Sequence, residues 1–351
     1  MKIGVVGAGV IGQLRIRTIR ENPATQLAAV LDVTPGAAEA AVAGTTARPC
    51  RDLASFLDVD MDAAIVSTPP LFHEDACVES LKRGRHVLCE KPLSNTIDAA
   101  RRIVDAALKA GKVLAVGFNF RYYPCIKFVK DAIAQGRIGQ LDHVRVFGGH
   151  DGLSNFRADW QYKAPASGGG AMMDVGIHMS DLARYLIGEV STVYGVMSES
   201  IWKVPGSEDN AVAVFVNADG IPATYQATWD EWKGYQIYVE AYGNNGMVRG
   251  SYAPMYNLLI TQDRPGGPRK KTSRRYPEIM VREKLKSWTS TAYLSFKEEL
   301  HDFLNSMNGI LDVPLADGYA GLRAMEIAEA VRESTVKREA VHLPPLGRMQ
   351  R

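Results

Sequence analysis

Lysine, histidine and aspartate can move protons or steady a developing oxyanion near neutral pH, and the sequence sets them at two places. Lys91 stands in Glu90-Lys91-Pro92, directly after the apolar run His86-Val87-Leu88-Cys89. A charged pair at the end of a buried strand is costly unless it is paired or used. That makes Lys91 the best catalytic candidate of the N-terminal half, although a lysine taken alone is more often simply solvated. The second place is Gly168-Gly169-Gly170-Ala171-Met172-Met173-Asp174-Val175-Gly176-Ile177-His178. Asp174 and His178 are four apart and share a face if that turn is helical, and Asp181 is three past His178. A carboxylate beside a histidine orients the ring and favours its charged form. In isolation the plainer reading is a capped helix with a satisfied core histidine. The three glycines predict a flexible approach to this segment.

A different chemistry opens the chain. Gly7, Gly9 and Gly12 have G-x-G-x-x-G spacing between an apolar run, 3–6, and a helical stretch that starts at Val10 and Ile11. The first glycine allows a tight turn, the second a close approach of backbone to a pyrophosphate, and the third close packing of helix on sheet. Anions gain from the free N–H groups at such a helix start. Asp32 ends the next strand, twenty residues after Gly12. It suits both ribose hydroxyls and repels a 2′-phosphate, so the expected cofactor is NAD rather than NADP. Gly7, Gly9, Val10, Ile11, Gly12 and Asp32 are the expected contacts.

Strand and helix alternate through residue 118 or so. Strands are expected at 2–6, 27–32, 62–67, 86–89 and 113–117, and helices at 10–21, 35–43, 73–83 and 95–109. This rhythm predicts a doubly wound parallel sheet with ligands at the C-terminal strand ends. Further cofactor contacts are expected there: Thr68 and Pro69, with His73 beyond them, then Glu90 and Lys91. His73 reads equally well as a helix-start residue with no ligand. The stretch Phe118-Asn119-Phe120-Arg121-Tyr122-Tyr123 falls where a first domain, 1–120, hands over to a second, 121–351. It supplies Asn119 as a cofactor candidate and Arg121 and Tyr122 as substrate candidates.

The second half reads as α+β. After a strand at 141–147 comes a long polar loop with Arg157, Trp160, Tyr162 and Lys163. Flat apolar faces beside hydrogen-bond donors suit a carbohydrate or polyol, which makes Arg157 and Trp160 substrate candidates. From 192 to 260 the alternation predicts an open antiparallel sheet, with a hairpin at Gly243-Asn244-Asn245-Gly246. Helices on one face would leave the other for a partner subunit, as in a homodimer or homotetramer. Residues 263–275, with Arg269-Lys270-Lys271 and Arg274-Arg275, predict a mobile surface loop. Helices follow at 292–307 and 317–335.

The chain has 351 residues, 46% apolar and 23% charged, with a net charge of +2. Two soluble globular domains are expected. There is no basic field for nucleic acid and no apolar run of membrane-spanning length. Cys50, Cys77, Cys89 and Cys125 lack C-x-x-C or zinc spacing, so no metal site is expected, and reduced thiols suit the cytoplasm.

Taken together, the glycine loop, Thr68-Pro69 with His73, Gly84-Arg85-His86-Val87 running into Glu90-Lys91-Pro92, the Asn119/Arg121 segment and Asp174-x-Gly176-x-His178 resemble the Gfo/Idh/MocA oxidoreductase family. The likeness runs to about Pro344. It implies that Lys91, Asp174 and His178 belong to the active site and contact substrate, and that the Lys91–Pro92 bond is cis. The implied activity is hydride transfer between NAD and a secondary alcohol of a sugar or cyclitol, as in inositol dehydrogenases. His178 would be the general base and Lys91 the oxyanion partner, or the reverse. Two other readings stay open at this point: elimination, epimerisation or glycoside cleavage with transient redox cycling of NAD, and a non-catalytic NAD-binding sensor.

Overall fold

The computed structural model describes residues 1–152 and 158–345. They form two compact units. The first comprises Met1–Tyr122, Pro165–Gly168 and Val281–Leu322; the second comprises the described residues of Tyr123–Ala164, Gly169–Met280 and Arg323–Arg351.

The first unit is built on six parallel strands: β1 (Lys2–Val6), β2 (Gln26–Leu31), β3 (Arg48–Cys50), β4 (Ala63–Val66), β5 (His86–Cys89) and β6 (Leu114–Val116). Their order is β3-β2-β1-β4-β5-β6, the arrangement of a doubly wound dinucleotide fold. β4 and β6 are buried throughout, and β5 beyond its first residue. That is why they read as unbroken apolar runs rather than as alternation. Helices α1 (Val10–Glu21), α2 (Ala37–Val42), α3 (Leu53–Leu57), α4 (His73–Lys82) and α5 (Ile97–Ala110) connect them. The short β3 and α3 are additions to the expected elements. Capping sets α5: the Thr96 hydroxyl accepts the Ala99 N–H, and Gly111 ends the helix in the left-handed region.

The segment Val281–Leu322 returns to this unit from the C-terminal half. Its main helix lays Leu300, Phe303 and Leu304 into the same buried cluster as Ile3, Val5, Ile16 and Val30. Burial of one apolar helix stripe drives the return. The 1–120 boundary expected from sequence follows chain order, whereas this unit is discontinuous along the chain.

The second unit holds a nine-stranded sheet. Its strands are β7 (Leu141–Gly149), β8 (Val190–Ser198), β9 (Asn210–Asn217), β10 (Pro222–Thr228), β11 (Gln236–Gly243), β12 (Gly246–Tyr252), β13 (Tyr256–Gln262), β14 (Arg269–Arg275) and β15 (Val341–His342). The order is β14-β13-β12-β11-β7-β10-β9-β8-β15. Every neighbouring pair is antiparallel except β7 and β10, which run parallel. Helices α6 (Pro124–Ala134) and α8 (Gly176–Ile187) cover one face; the one-turn α7 (Ala164–Ser167) lies between them in sequence. α8 comes close because β7 carries Gly148, where a Cβ would meet Val175 and Met179 at 2.8 and 2.9 Å. On the other face Tyr194 and Val196 of β8 lie opposite Val214 and Val212 of β9, all exposed.

Residues 269–275 correct one expectation. They form the ordered edge strand β14, paired along β13 and exposed throughout, not a mobile loop. Backbone pairing needs no apolar side chain, and lysines and arginines on an edge deter further strand addition. The C-terminal helices are α9 (Pro277–Lys286), α10 (Thr289–Met307) and α11 (Gly318–Lys337). No helix among the described residues is long and apolar enough to cross a membrane.

Candidate active site

The glycine loop is shaped by three different constraints. Gly7 has φ +92°, and a Cβ on it would meet the Ser67 carbonyl at 2.8 Å. A Cβ on Gly12 would stand 1.9 Å from the Gly7 oxygen, so the loop and α1 pack backbone to backbone. A Cβ on Gly9 would meet nothing within 4 Å. Gly9 caps α1 without a side-chain bond, and both it and Val10 are exposed. The open side of the loop is therefore at the helix start, where N–H groups face outward. Asp32 is fixed beside it: one oxygen accepts the Ala8 N–H at 2.7 Å and the other the Thr34 N–H at 2.8 Å. At the end of β4, the Ser67 and Thr68 hydroxyls are buried without a hydrogen-bond partner among the described residues. An open cradle, a fixed carboxylate and orphaned hydroxyls fit a dinucleotide whose ribose and phosphates bring their own acceptors and donors. Gly9→Ala is expected to weaken NADH binding about a hundredfold while the melting temperature stays within a few degrees, since its Cβ collides only with ligand. Fluorescence titration beside a thermal melt checks this; equal loss of folding would overturn it.

Not every expected cofactor residue faces this cradle. His73 is fully buried, with Nε2 2.7 Å from the Thr68 oxygen and Nδ1 3.0 Å from the Pro92 oxygen. It ties the Thr68 and Pro92 loops together and offers a ligand no surface. Burial holds its pKa below the ordinary value. Asn119 is likewise buried and donates to the Ser295 hydroxyl at 2.8 Å. Glu90 accepts twice from Arg15. Lys91 follows it, half-buried, on a cis bond to Pro92.

Arg121 and Tyr122, expected to meet substrate, are only 6% and 2% exposed. Arg121 Nη1 donates to the Pro314 oxygen at 3.0 Å. Burial pushes the Tyr122 hydroxyl far up, with Glu299 and Asp302 adding to the shift. Burial leaves both side chains little surface to offer a substrate, and Arg121 meets the returning segment.

The second unit carries Asp174 and His178. Asp174 lies two residues before α8, and His178 is in its first turns, 4% exposed. Asp174 Oδ2 sits 2.9 Å from His150 Nε2 and accepts the Trp229 indole N–H at 3.2 Å. The Gly152 N–H donates to His150 Nδ1 at 3.1 Å, so Nδ1 accepts and the ring proton sits on Nε2, toward Asp174. The ring of Tyr235 lies parallel to His150 at 6.3 Å. His150 and Trp229 are the residues that follow β7 and β10. Two adjacent parallel strands thus deliver both partners at their C-terminal ends. Neither stands out in the sequence, because His150 and Trp229 lie far apart along the chain and only the parallel pairing of β7 with β10 brings them together.

The three glycines are not a flexible approach. Buried Glu208 accepts the Gly170 N–H at 3.1 Å and the Met172 N–H at 2.8 Å, and Arg332 lies 3.6 Å from its other oxygen. A Cβ on Gly170 would meet the Glu208 backbone at 2.2 Å. The glycines let Glu208 clamp the loop that carries Asp174. Trp160 is half-buried in the short turn Asp159–Tyr162. Arg157 lies outside the described residues.

Comparison with known proteins finds a match in each half of the chain. Residues 1–118 match a family model described as an oxidoreductase family with NAD-binding Rossmann fold, and residues 126–249 match the GFO/IDH/MocA C-terminal domain. An inositol 2-dehydrogenase from Paracoccus denitrificans is 30% identical, covering 98% of this chain and 97% of its own. One from Rhizobium meliloti is 26% identical over 98% of this chain and 99% of its own. Among solved structures, the WlbA dehydrogenase from Bordetella pertussis, in complex with NADH and UDP-GlcNAcA, superposes with a TM-score of 0.81 at 26% identity, over 98% of each chain. Levoglucosan dehydrogenase with NADH and levoglucosan gives a TM-score of 0.85 at 24% identity, over 99% of this chain and 100% of its own, a likeness of fold.

Proposed function

The chain belongs to the Gfo/Idh/MocA family of NAD-binding oxidoreductases, and from that premise we propose an NAD-dependent dehydrogenase acting on a secondary alcohol of a sugar or cyclitol. The observation that carries the reading is Asp174, fixed by His150 and Trp229 two residues before the helix of His178. A carboxylate held on one oxygen by two donors is preorganised to accept a substrate hydroxyl. The named activities of the relatives, inositol and levoglucosan oxidation, point to the same substrate class.

When bound, the nicotinamide supplies the hydride acceptor. The chain manages the remaining charge. His178 takes the hydroxyl proton, since an imidazole titrates near neutrality. Lys91 is suited to steady the negative charge that develops on a substrate oxygen. Asp174 fixes the ring of the substrate through a neighbouring hydroxyl. Gly7, Gly9, Gly12, Asp32 and Thr68 hold the cofactor.

The reading extends to assembly and location. The exposed Tyr194, Val196, Val212 and Val214 form an apolar patch on the open sheet face, suited to a second copy of the chain in a homodimer or homotetramer. Four buried, unbridged cysteines suit the reducing cytoplasm.

The test is NADH formation over a panel of inositols, free sugars, sugar phosphates and nucleotide sugars. NADH from one neutral polyol class is the expected result. Product formed without net NADH would replace this reading with the transient redox cycle. The half-buried Asp32 carboxylate should also make NADP bind about a hundredfold more weakly than NAD, because a 2′-phosphate brings like charge to a fixed anion. Equal affinities in a competition titration would contradict that role for Asp32.

A further inference from the structure

Arg15 stands three residues past Gly12 on α1, and its side chain is fully buried. Its Nε and Nη2 donate to Glu90 Oε1 at 2.8 and 2.6 Å. The same Nη2 lies 2.6 Å from Glu299 Oε2, on α10. The guanidinium rests on the Phe296 ring, 3.9 Å from its centroid. Two carboxylates therefore share one guanidinium nitrogen away from water. Glu90 has little slack: its N–H donates to the Val66 oxygen at 2.8 Å, and its Oε2 would lie 2.7 Å from a Cβ on Gly117. The next residue is Lys91. A side chain from the returning segment thus reaches, through one arginine, both the helix of the glycine loop and the corner that carries the lysine.

With both carboxylates ionised, two negative charges share one guanidinium nitrogen in a dry place, which favours uptake of one proton. Burial pushes the Glu299 carboxyl up to about 7, with Glu90 adding to the rise and Arg15 opposing it. The groups that face Glu299 are Arg15 on α1, Glu90 after β5, and Arg121 and Tyr122 in the turn after β6.

We propose that Glu299 is a positioning residue for Lys91: it sets how firmly Arg15 grips Glu90, and its proton switches the corner between two settings. Protonated, Glu299 leaves the guanidinium to Glu90, and the Glu90-Lys91-Pro92 corner is held fast. Ionised, it competes for Nη2, the grip on Glu90 slackens, and Lys91 moves with it. The inference rests on Lys91 being the group that meets substrate.

The test follows Lys91 itself rather than turnover. The full chain with NADH is acylated by an N-hydroxysuccinimide ester, and labelling of Lys91 is read by peptide mass spectrometry relative to the exposed Lys109. Across about pH 6 to 8 this ratio is expected to change about threefold, beyond the common rise of all lysines with pH. Glu299→Gln, uncharged at every pH, is expected to flatten the ratio, and Glu299→Asp to retain the step. A flat ratio in the wild-type chain overturns the proposal without any variant having to fold. So does a step that survives in Glu299→Gln. A step abolished by Glu299→Gln in a chain that oxidises no polyol would leave the positioning role standing and remove the dehydrogenase reading instead.

Discussion

Lys91→Ala is expected to lower kcat about a thousandfold, with the Kd for NADH changed by no more than about threefold. Two contributions go with the ammonium. One is a donor aimed at the reacting oxygen, whose loss alone costs about a hundred- to a thousandfold in comparable sites. The other is the local positive charge that favours proton loss from the alcohol. Ground-state binding should suffer less, because a neutral hydroxyl gains little from a lysine that it does not also gain from water. The deficit therefore belongs in kcat and kcat/KM together, not in KM. Lys91→Met, which keeps the stem and drops the charge, should match the alanine variant. Stopped-flow measurement of NADH formation at saturating polyol decides the matter: a loss under tenfold in both variants would remove Lys91 from the chemistry. Folding should be unaffected, since the half-buried Lys91 side chain leaves the buried Glu90 anchored by Arg15.

Much of the first unit was legible because its rules are local. The spacing of Gly7, Gly9 and Gly12 reports backbone requirements that act over a few residues, and the buried parallel strands show as unbroken apolar runs. Lys91 could be singled out because charge at the end of a buried strand conflicts with burial unless it is used, and Asp174 by its spacing of four from His178. What stayed hidden depends on partners far apart in sequence. Glu299 reads as one polar position in an amphipathic helix; nothing near it shows that Arg15 waits 284 residues upstream. Arg121 and Tyr122 carry the composition of a binding loop, yet both are buried, and Arg121 meets the returning segment. Spacing sets Asp174 four residues before His178, but does not show His150, which comes from a strand end 24 residues away. The glycine run looked pliable because Glu208, 38 residues past Gly170, is what clamps it.

The same long-range cluster gives the largest expected effect on stability. Arg15→Ala is expected to cost about 3 to 5 kcal/mol, because it leaves Glu90 and Glu299 buried without their counter-charge. Its dependence on pH separates this cause from simple loss of packing. In the wild-type chain the folded-state pKa of Glu299 is about 7, above its ordinary 4.5. Between those values the folded chain binds more protons than the unfolded one, so this group's contribution falls as pH rises. It is fully present below the ordinary value and lost as pH rises through about 7. Without Arg15, Glu299 loses an interaction that favours its ionisation, and its folded-state pKa moves further up. The decline should then be steeper and extend to higher pH, so that the deficit is smallest in mild acid and grows through neutrality. Urea unfolding at several pH values between about 5 and 8 tests this. A deficit independent of pH would mean that Arg15 serves by filling space, as its stacking on Phe296 permits, and that charge plays no part. A deficit that grows with pH would place the proton on the very carboxylate that α10 brings to the glycine-loop helix.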